Sequence, residues 1–390
     1  MLRLASPRAR HLVACATLGA GVLGWAGAAR ADCTVTVLSP CVDSDTLWPH
    51  AGPSEFLTVG GTETVASNRI AFGLVSTYLS RPVVIHSASP GPNGSDRPAV
   101  DNQIDATFLF GYGLTDRLEL DLALPVTVFQ DGAGTSPISG GAALPTTATR
   151  DLRFGVTYAI LARPRKNPER HDASGLGLAA RFETSAPSGD DGAFAADRGA
   201  VFVPSVALDY RSHRFFVGGE LGLRVRPTTD FLGARIGTQG VVAAGVGFDV
   251  LLHELLSVTA EARALPVFVE QASVQQTLSG LVSSANGTYI TPAEWMVTAR
   301  SAPLPGGDVS LQLGVGGWLP TSGSAPITVP RVRVALGLTF APRGRDTDGD
   351  GVLDAIDRCP TEPGSKTSSE GPGCPEVSPK ASRPPEEPKP

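Results

Sequence analysis

"YGLTDRLELDLALPV", residues 112–126, decides the fold, because its centre alternates with a period of two. Leu118, Leu120, Leu122 and Leu124 fall on one face of an extended chain, and Arg117, Glu119, Asp121 and Ala123 fall on the other. Successive side chains of a strand point to opposite faces, so this segment reads as a strand with one apolar and one charged side. The same design returns in "LSVTAEARAL" (256–265), "DVSLQLGVG" (308–316) and "RVRVALGLTF" (331–340).

Outward from these segments the pattern predicts an all-β protein of about twelve strands, near 68–82, 103–111, 117–129, 149–161, 174–184, 199–210, 213–226, 238–249, 255–265, 292–301, 308–318 and 330–341. Connections after odd-numbered strands are long, as in "QDGAGTSPISGGAALPTT", and those after even-numbered strands are mostly short, as in "YGLTD" and "RS". Two architectures accommodate such strands: a soluble β-sandwich with its apolar face inward, and a membrane barrel with its apolar face toward lipid. Strands of about ten residues suit a tilted membrane span, whereas ordinary strands run to about five or six. The loop alternation, the even count and a last strand with Val332, Val334, Leu336, Leu338 and Phe340 on one face favour a transmembrane antiparallel β-barrel over residues 68–342. Its lumen-facing candidates are Arg117, Glu119, Asp121, Arg153, Glu220, Arg224, Glu261, Arg263, Arg331 and Arg333.

The chain begins with Arg3, Arg8 and Arg10, continues through an apolar stretch over 12–28, and reaches Ala29-Arg30-Ala31, the features of a cleaved export signal covering 1–31. Its removal takes four arginines from the 32 basic residues and leaves 38 acidic ones, a formal charge of −10, which argues against a nucleic-acid partner. It also removes Cys15 and leaves Cys33, Cys41, Cys359 and Cys374, an even set in an exported chain, as for disulfides. Three pairings are possible, and proximity favours Cys33 with Cys41 and Cys359 with Cys374. Residues 32–67 carry the first pair. They have the composition to plug the lumen, pack beneath it or lead in from the periplasm, and the lead-in is the plainest reading.

"DTDGDGVLDAIDRCP", residues 346–360, sets Asp346, Asp348, Asp350, Val352, Asp354 and Asp357 at positions 1, 3, 5, 7, 9 and 12 of a calcium loop. Carboxylates at this density repel one another unless a cation sits among them, and calcium suits a pliable shell of oxygens. The alternating segment before the loop and Pro360 and Pro363 after it leave no room for the flanking helices of an EF-hand. With the Cys-Pro that follows and "GPGCP" further on, residues 343–375 resemble a thrombospondin type 3 repeat. That resemblance implies calcium bound by the aspartate side chains and the Val352 carbonyl, with Cys359 in a disulfide. Residues 376–390 form a charged, proline-rich tail expected to be disordered.

An export signal, an alternating barrel with "YGLTDRLELDLALPV" and "TRDLRFGVTYAIL", and an adjoining calcium repeat together resemble the OmpA-related outer-membrane proteins of Gram-negative bacteria. The resemblance implies an outer-membrane location, contact with its lipid and both termini in the periplasm. In that family a peptidoglycan-binding domain follows the repeat; here the tail follows it, so a periplasmic protein or the cell wall is the partner expected through the tail. No enzyme chemistry assembles: the six histidines show no metal-protease spacing, and no G-x-S-x-G is present. Two functions follow as expectations. One is a structural or pore-forming barrel with a calcium-rigidified periplasmic linker; the other is a calcium-dependent adhesion or binding protein of the envelope, built on a sandwich or a non-conducting barrel.

Overall fold

The computed structural model describes residues 37–87, 95–136, 143–163, 174–250, 256–277, 280–301, 309–321, 328–342, 348, 350, 352, 357–365 and 367–376. The export signal, Cys33, Asp346, Asp354 and the tail beyond 376 lie outside the described residues.

Period-two patterning produces the strands β1 (Ile70–Ser87), β2 (Ser95–Thr115), β3 (Leu118–Asp131), β4 (Ala148–Thr149), β5 (Leu152–Leu161), β6 (Gly175–Ala186), β7 (Val201–Ser212) and β8 (Phe215–Arg224). They are followed by β9 (Thr229–Phe231), β10 (Ala234–Ile236), β11 (Gln239–Asp249), β12 (Leu256–Ala264), β13 (Ala272–Thr277), β14 (Gly280–Ala285), β15 (Ala293–Ser301), β16 (Val309–Trp318) and β17 (Val332–Phe340). Twelve of them close into one antiparallel barrel in the order β1-β2-β3-β5-β6-β7-β8-β11-β12-β15-β16-β17. The closing seam joins the first strand to the last, so that Phe72 stands opposite Phe110 on one side and Phe340 on the other.

The alternation settles which way the apolar face looks. Along β5, Phe154, Val156, Tyr158 and Ile160 are exposed on the outer surface, while Arg153, Gly155, Thr157 and Ala159 are buried inside. β7 repeats this, with Phe202, Val206, Leu208 and Tyr210 outward and Val203, Ser205 and Ala207 inward. A closed sheet has no free edge, and this one is apolar outside and polar inside, which overturns the soluble sandwich. Aromatic rings collect outward at one rim, where Phe72, Phe110, Tyr112, Tyr158, Phe215 and Phe248 are exposed, as they do where a barrel meets a membrane interface.

All twelve expected strands are present, and the differences lie at the long-loop end. Pairing of β1 with β17 stops at Ser80, yet pairing of β1 with β2 continues to Ser87, so this hairpin projects beyond its neighbours. The register shifts between Ser80 and Val83, where Arg81 has a φ of 51° and Pro82 lacks an amide donor. The loop after β12 contains a further hairpin, β13 with β14, and the loop after β8 contains β9 with β10. Ile70 and Phe340, which begin and end the barrel, both lie at the short-turn end.

Candidate functional site: the filled lumen

A strand buries every second side chain on the inside, and a twelve-strand barrel leaves more interior than those side chains fill. Here the remainder is taken by residues 37–67. At the long-loop end Leu38 bridges to Phe231, and the Ser39 and Ser44 amides donate to Asp230 and Phe194. At the other end the Val65 amide donates to Glu119 at 2.6 Å and the Asn68 amide to the Gly113 carbonyl, beside the short β2–β3 turn. The segment therefore runs through the whole barrel before β1 begins. This corrects the lead-in expected for these residues, and it places residue 37 and Phe340 at opposite ends of the barrel.

Residues 37–67 contain Asp43, Asp45, Glu55 and Glu63 and no lysine or arginine, and the wall answers with arginines. Arg150, in the link from β4 to β5, contacts the carboxylates of Asp43 and Asp105 and donates to the Asp45 carbonyl at 2.8 Å. Arg333 of β17, fully buried, reaches Asp45 at 2.8 Å and Glu294 of β15 at 3.1 Å. Arg163 meets Glu63 at 3.0 Å, and Arg211 of β7 meets Glu55 at 3.0 Å and Asp249 at 2.8 Å. His50 lies 3.1 Å from Glu183 of β6.

An irregular chain inside a barrel has no ladder for its own amides, and buried amides without partners are costly. Wall side chains take that place. Glu261 of β12 accepts from the amides of Leu57 and Thr58 and from the Thr58 hydroxyl, at 2.6 to 3.1 Å. Glu220 of β8 accepts from the Gly60 amide at 2.8 Å. Arg224 and Arg263 both donate to the Thr46 carbonyl, at 3.1 and 2.8 Å, and Arg181 donates to the Gly61 carbonyl at 3.3 Å.

Packing fixes the register further. Phe56 lies against Phe216 with ring centroids 5.4 Å apart. It occupies a hollow that Gly218 and Gly245 leave open, since a Cβ on either would stand 2.6 Å from its ring. Trp48 sits between the guanidinium groups of Arg153 and Arg224, 5.0 and 4.6 Å from its ring, over Val201, Val203, Val241 and Leu265. The voids left beside the segment, about 10 Å³ near Trp48 and about 20 Å³ near Glu55, are of the size of one water.

The structure places Glu119, Asp121, Arg153, Glu220, Arg224, Glu261, Arg263 and Arg333 on the inner face of the wall. Arg117 and Arg331 do not face the lumen. Arg117 occupies the exposed β2–β3 turn, where the strand period lapses, and Arg331 precedes β17 at the long-loop rim, exposed and 3.5 Å from Asp96. Sequence reasoning missed Asp105, Arg150, Arg181, Glu183, Arg211 and Glu294, and all the contributions of Asp45, Trp48 and Phe56. The signal that was available is the pairing of an acid-only segment with arginines recurring on apolar-flanked strands.

Several solved structures align with this chain at low similarity. An outer-membrane channel from Pseudomonas putida F1 aligns with a TM-score of 0.48 at 16% identity, over 72% of this chain and 98% of that one. The NanC porin gives 0.40 at 8% identity over 69% and 98%, and the toluene transporter TbuX of Ralstonia pickettii gives 0.35 at 10% over 72% and 90%. At these identities the likeness is one of fold. No protein-family model matches the chain, and no curated protein does.

Beyond the barrel, Asp348, Asp350 and Asp357 bring carboxylate oxygens within 4.8 Å of one another. Oδ2 of Asp357 is buried without a hydrogen-bond partner, and Gly364 donates its amide to Asp350 at 2.9 Å. Gly373, with a φ of 81°, passes so close to Asp357 that a Cβ would stand 1.9 Å from its Oδ1. Cys359 and Cys374 form a disulfide that holds the two sides together. Val352 is buried beside Asp350, to which its amide donates at 2.8 Å. Cys41 is also disulfide-bonded.

Proposed function

We propose that this protein is an outer-membrane channel of a Gram-negative envelope, not an enzyme, whose lumen is held shut by residues 37–67. One observation carries the reading: the interior that the wall's own side chains leave open is filled by an acidic segment that, among the described residues, continues into the wall where β1 begins. Withdrawal of that segment leaves a lumen lined by charged groups inside an apolar exterior that suits lipid. With short turns facing the periplasm, as is general for such barrels, residue 37 stands on the outer side and the C-terminal unit hangs beneath.

In that unit Asp346, Asp348, Asp350, Asp354 and Asp357, with the Val352 carbonyl, hold Ca2+ in the manner of the thrombospondin type 3 repeat that the segment resembles. The buried, unpartnered Asp357 oxygen supports a cation there. A metal bound only by the folded unit stabilises it, and makes a compact spacer between an OmpA-like barrel and a tail that meets a periplasmic protein or the cell wall. The channel reading is tested in planar bilayers by deleting 37–67. The expected result is stable conductance steps several times those of the intact chain; equal, negligible conductance of both forms overturns it.

A further inference from the structure

We propose that the gap between Arg153 and Arg224 is a binding site for planar aromatic carboxylates, occupied in the closed barrel by the ring of Trp48. Its consequence for gating rests on the channel reading above; the binding does not.

With Arg181, which donates only to the Thr157 hydroxyl and the Gly61 carbonyl, the two arginines differ from the other buried arginines of the lumen. Arg150, Arg163, Arg211, Arg226, Arg263 and Arg333 each stand within ion-pair distance of a carboxylate. Arg153 and Arg224 are 5% and 4% exposed, and among the described residues neither has such a partner. The Nε of each is buried with no hydrogen-bond acceptor. The hydroxyl of Ser185, directly opposite Arg153 across the β5–β6 pair, is likewise buried and unpartnered. Carboxylates act on both from beyond ion-pair distance, Glu183 and Asp43 on Arg153 and Asp197 and Asp43 on Arg224, so what the two guanidinium groups facing one gap lack is a direct acceptor for their Nε atoms.

Trp48 fills the gap without supplying one. Its ring faces attract both cations, and its edges rest on Val201, Val203, Val241 and Leu265. It brings no acceptor for the free Nε atoms or for Ser185. A ligand with an aromatic ring and a carboxylate supplies both: the ring lies on the apolar bed between the guanidinium planes, and the carboxylate reaches Arg153 and Ser185. A neutral arene supplies only the ring, and a small aliphatic acid only the charge. Such a ligand therefore competes with Trp48, and its binding favours release of the segment that Trp48 anchors, in proportion to its preference for the open form.

The probe is benzoate, with acetate and benzyl alcohol as the half-ligands, titrated calorimetrically into the full-length protein in detergent, with folding checked by heat-dependent gel mobility. Benzoate is expected to bind at least about tenfold more tightly than either half-ligand. Trp48→Ala, which vacates the site, is expected to tighten benzoate by about tenfold again. Arg153→Gln with Arg224→Gln abolishes the preference, and Arg117→Gln, at the exposed turn, leaves it unchanged. Equal binding of benzoate and acetate, or no benzoate binding in both the intact protein and Trp48→Ala, overturns the proposal. Benzoate binding in a protein whose 37–67 deletion stays non-conducting leaves the site standing and sinks the channel reading; conductance without benzoate binding does the reverse.

Discussion

Residues 37–67 precede the barrel strands in sequence and the described residues of 348–376 follow them, and both are almost without regular secondary structure, yet they are held by opposite means. The first segment takes its hydrogen bonds and counter-charges from the wall around it: Glu261, Glu220 and Glu119 hold its amides, and Arg150, Arg333 and Arg211 hold its acids. The second closes on itself through the Cys359–Cys374 disulfide, a glycine that passes against Asp357, and three carboxylates that lie within 4.8 Å of one another. A segment held from outside is released when its holder changes, which suits a gate. A segment held from within keeps its shape wherever it hangs, which suits a spacer.

The strongest way to break the first region is to strand its charges. Arg333→Met leaves Asp45 and Glu294 buried with one cation fewer each, a change expected to cost about 3–5 kcal/mol. It should lower the temperature at which the folded gel band is lost and raise open probability in bilayers. If the variant melts and conducts like the parent, the arginine ladder does not hold the segment.

The matching experiment on the second region replaces Cys359 and Cys374 by serine. Opening a loop whose cysteines stand 15 positions apart in sequence removes about 3 kcal/mol of unfolded-state restraint. Calcium affinity, read by calorimetry, should fall, while conductance and the melting of the barrel stay as they were. A change in conductance would show that the two regions are coupled, against the contrast drawn above. Smaller still is Glu261→Gln, which weakens the acceptor of three donors from Leu57 and Thr58 by about 1–3 kcal/mol. Open probability should rise with no change in calcium affinity.

The same contrast explains what could be read from sequence. The barrel was legible because lipid on one side and a polar lumen on the other impose period two on every strand, and "RLELDLALP" or "RVRVALGLTF" show it without help from the rest of the chain. The gathering of Asp348, Asp350 and Asp357 was legible because these residues are close in sequence. The segment in the lumen was not, because "DTLWPHAGPSEFLT" owes its conformation to residues more than a hundred positions away, such as Glu261 with Thr58 and Arg333 with Asp45. Arg117 was misjudged because strand parity continues in the sequence past the point where the turn begins, and Arg331 for the same reason at a strand start.

Acidification should separate the two regions by sign. Asp151, between β4 and β5, accepts from the amides of Ser188, Gly189 and Asp197 and so secures the loop that carries Phe194, against which the lumen segment enters. Burial pushes its carboxyl up to about 6 in spite of those donors. The unfolded chain has the ordinary value of 3.8, so the folded form binds more proton between the two. Its contribution to stability is therefore fully present below about pH 4 and is lost as pH rises through about 6. The calcium unit runs the other way, since protons compete with the metal for its carboxylates and affinity grows as pH rises. Limited proteolysis of the 187–200 loop, compared between the parent and Asp151→Asn, isolates the first effect. The parent should become more resistant from pH 7 to pH 5, and the variant should show a much smaller change. Equal pH dependence in both would remove Asp151 from the account of how the entry to the lumen is secured.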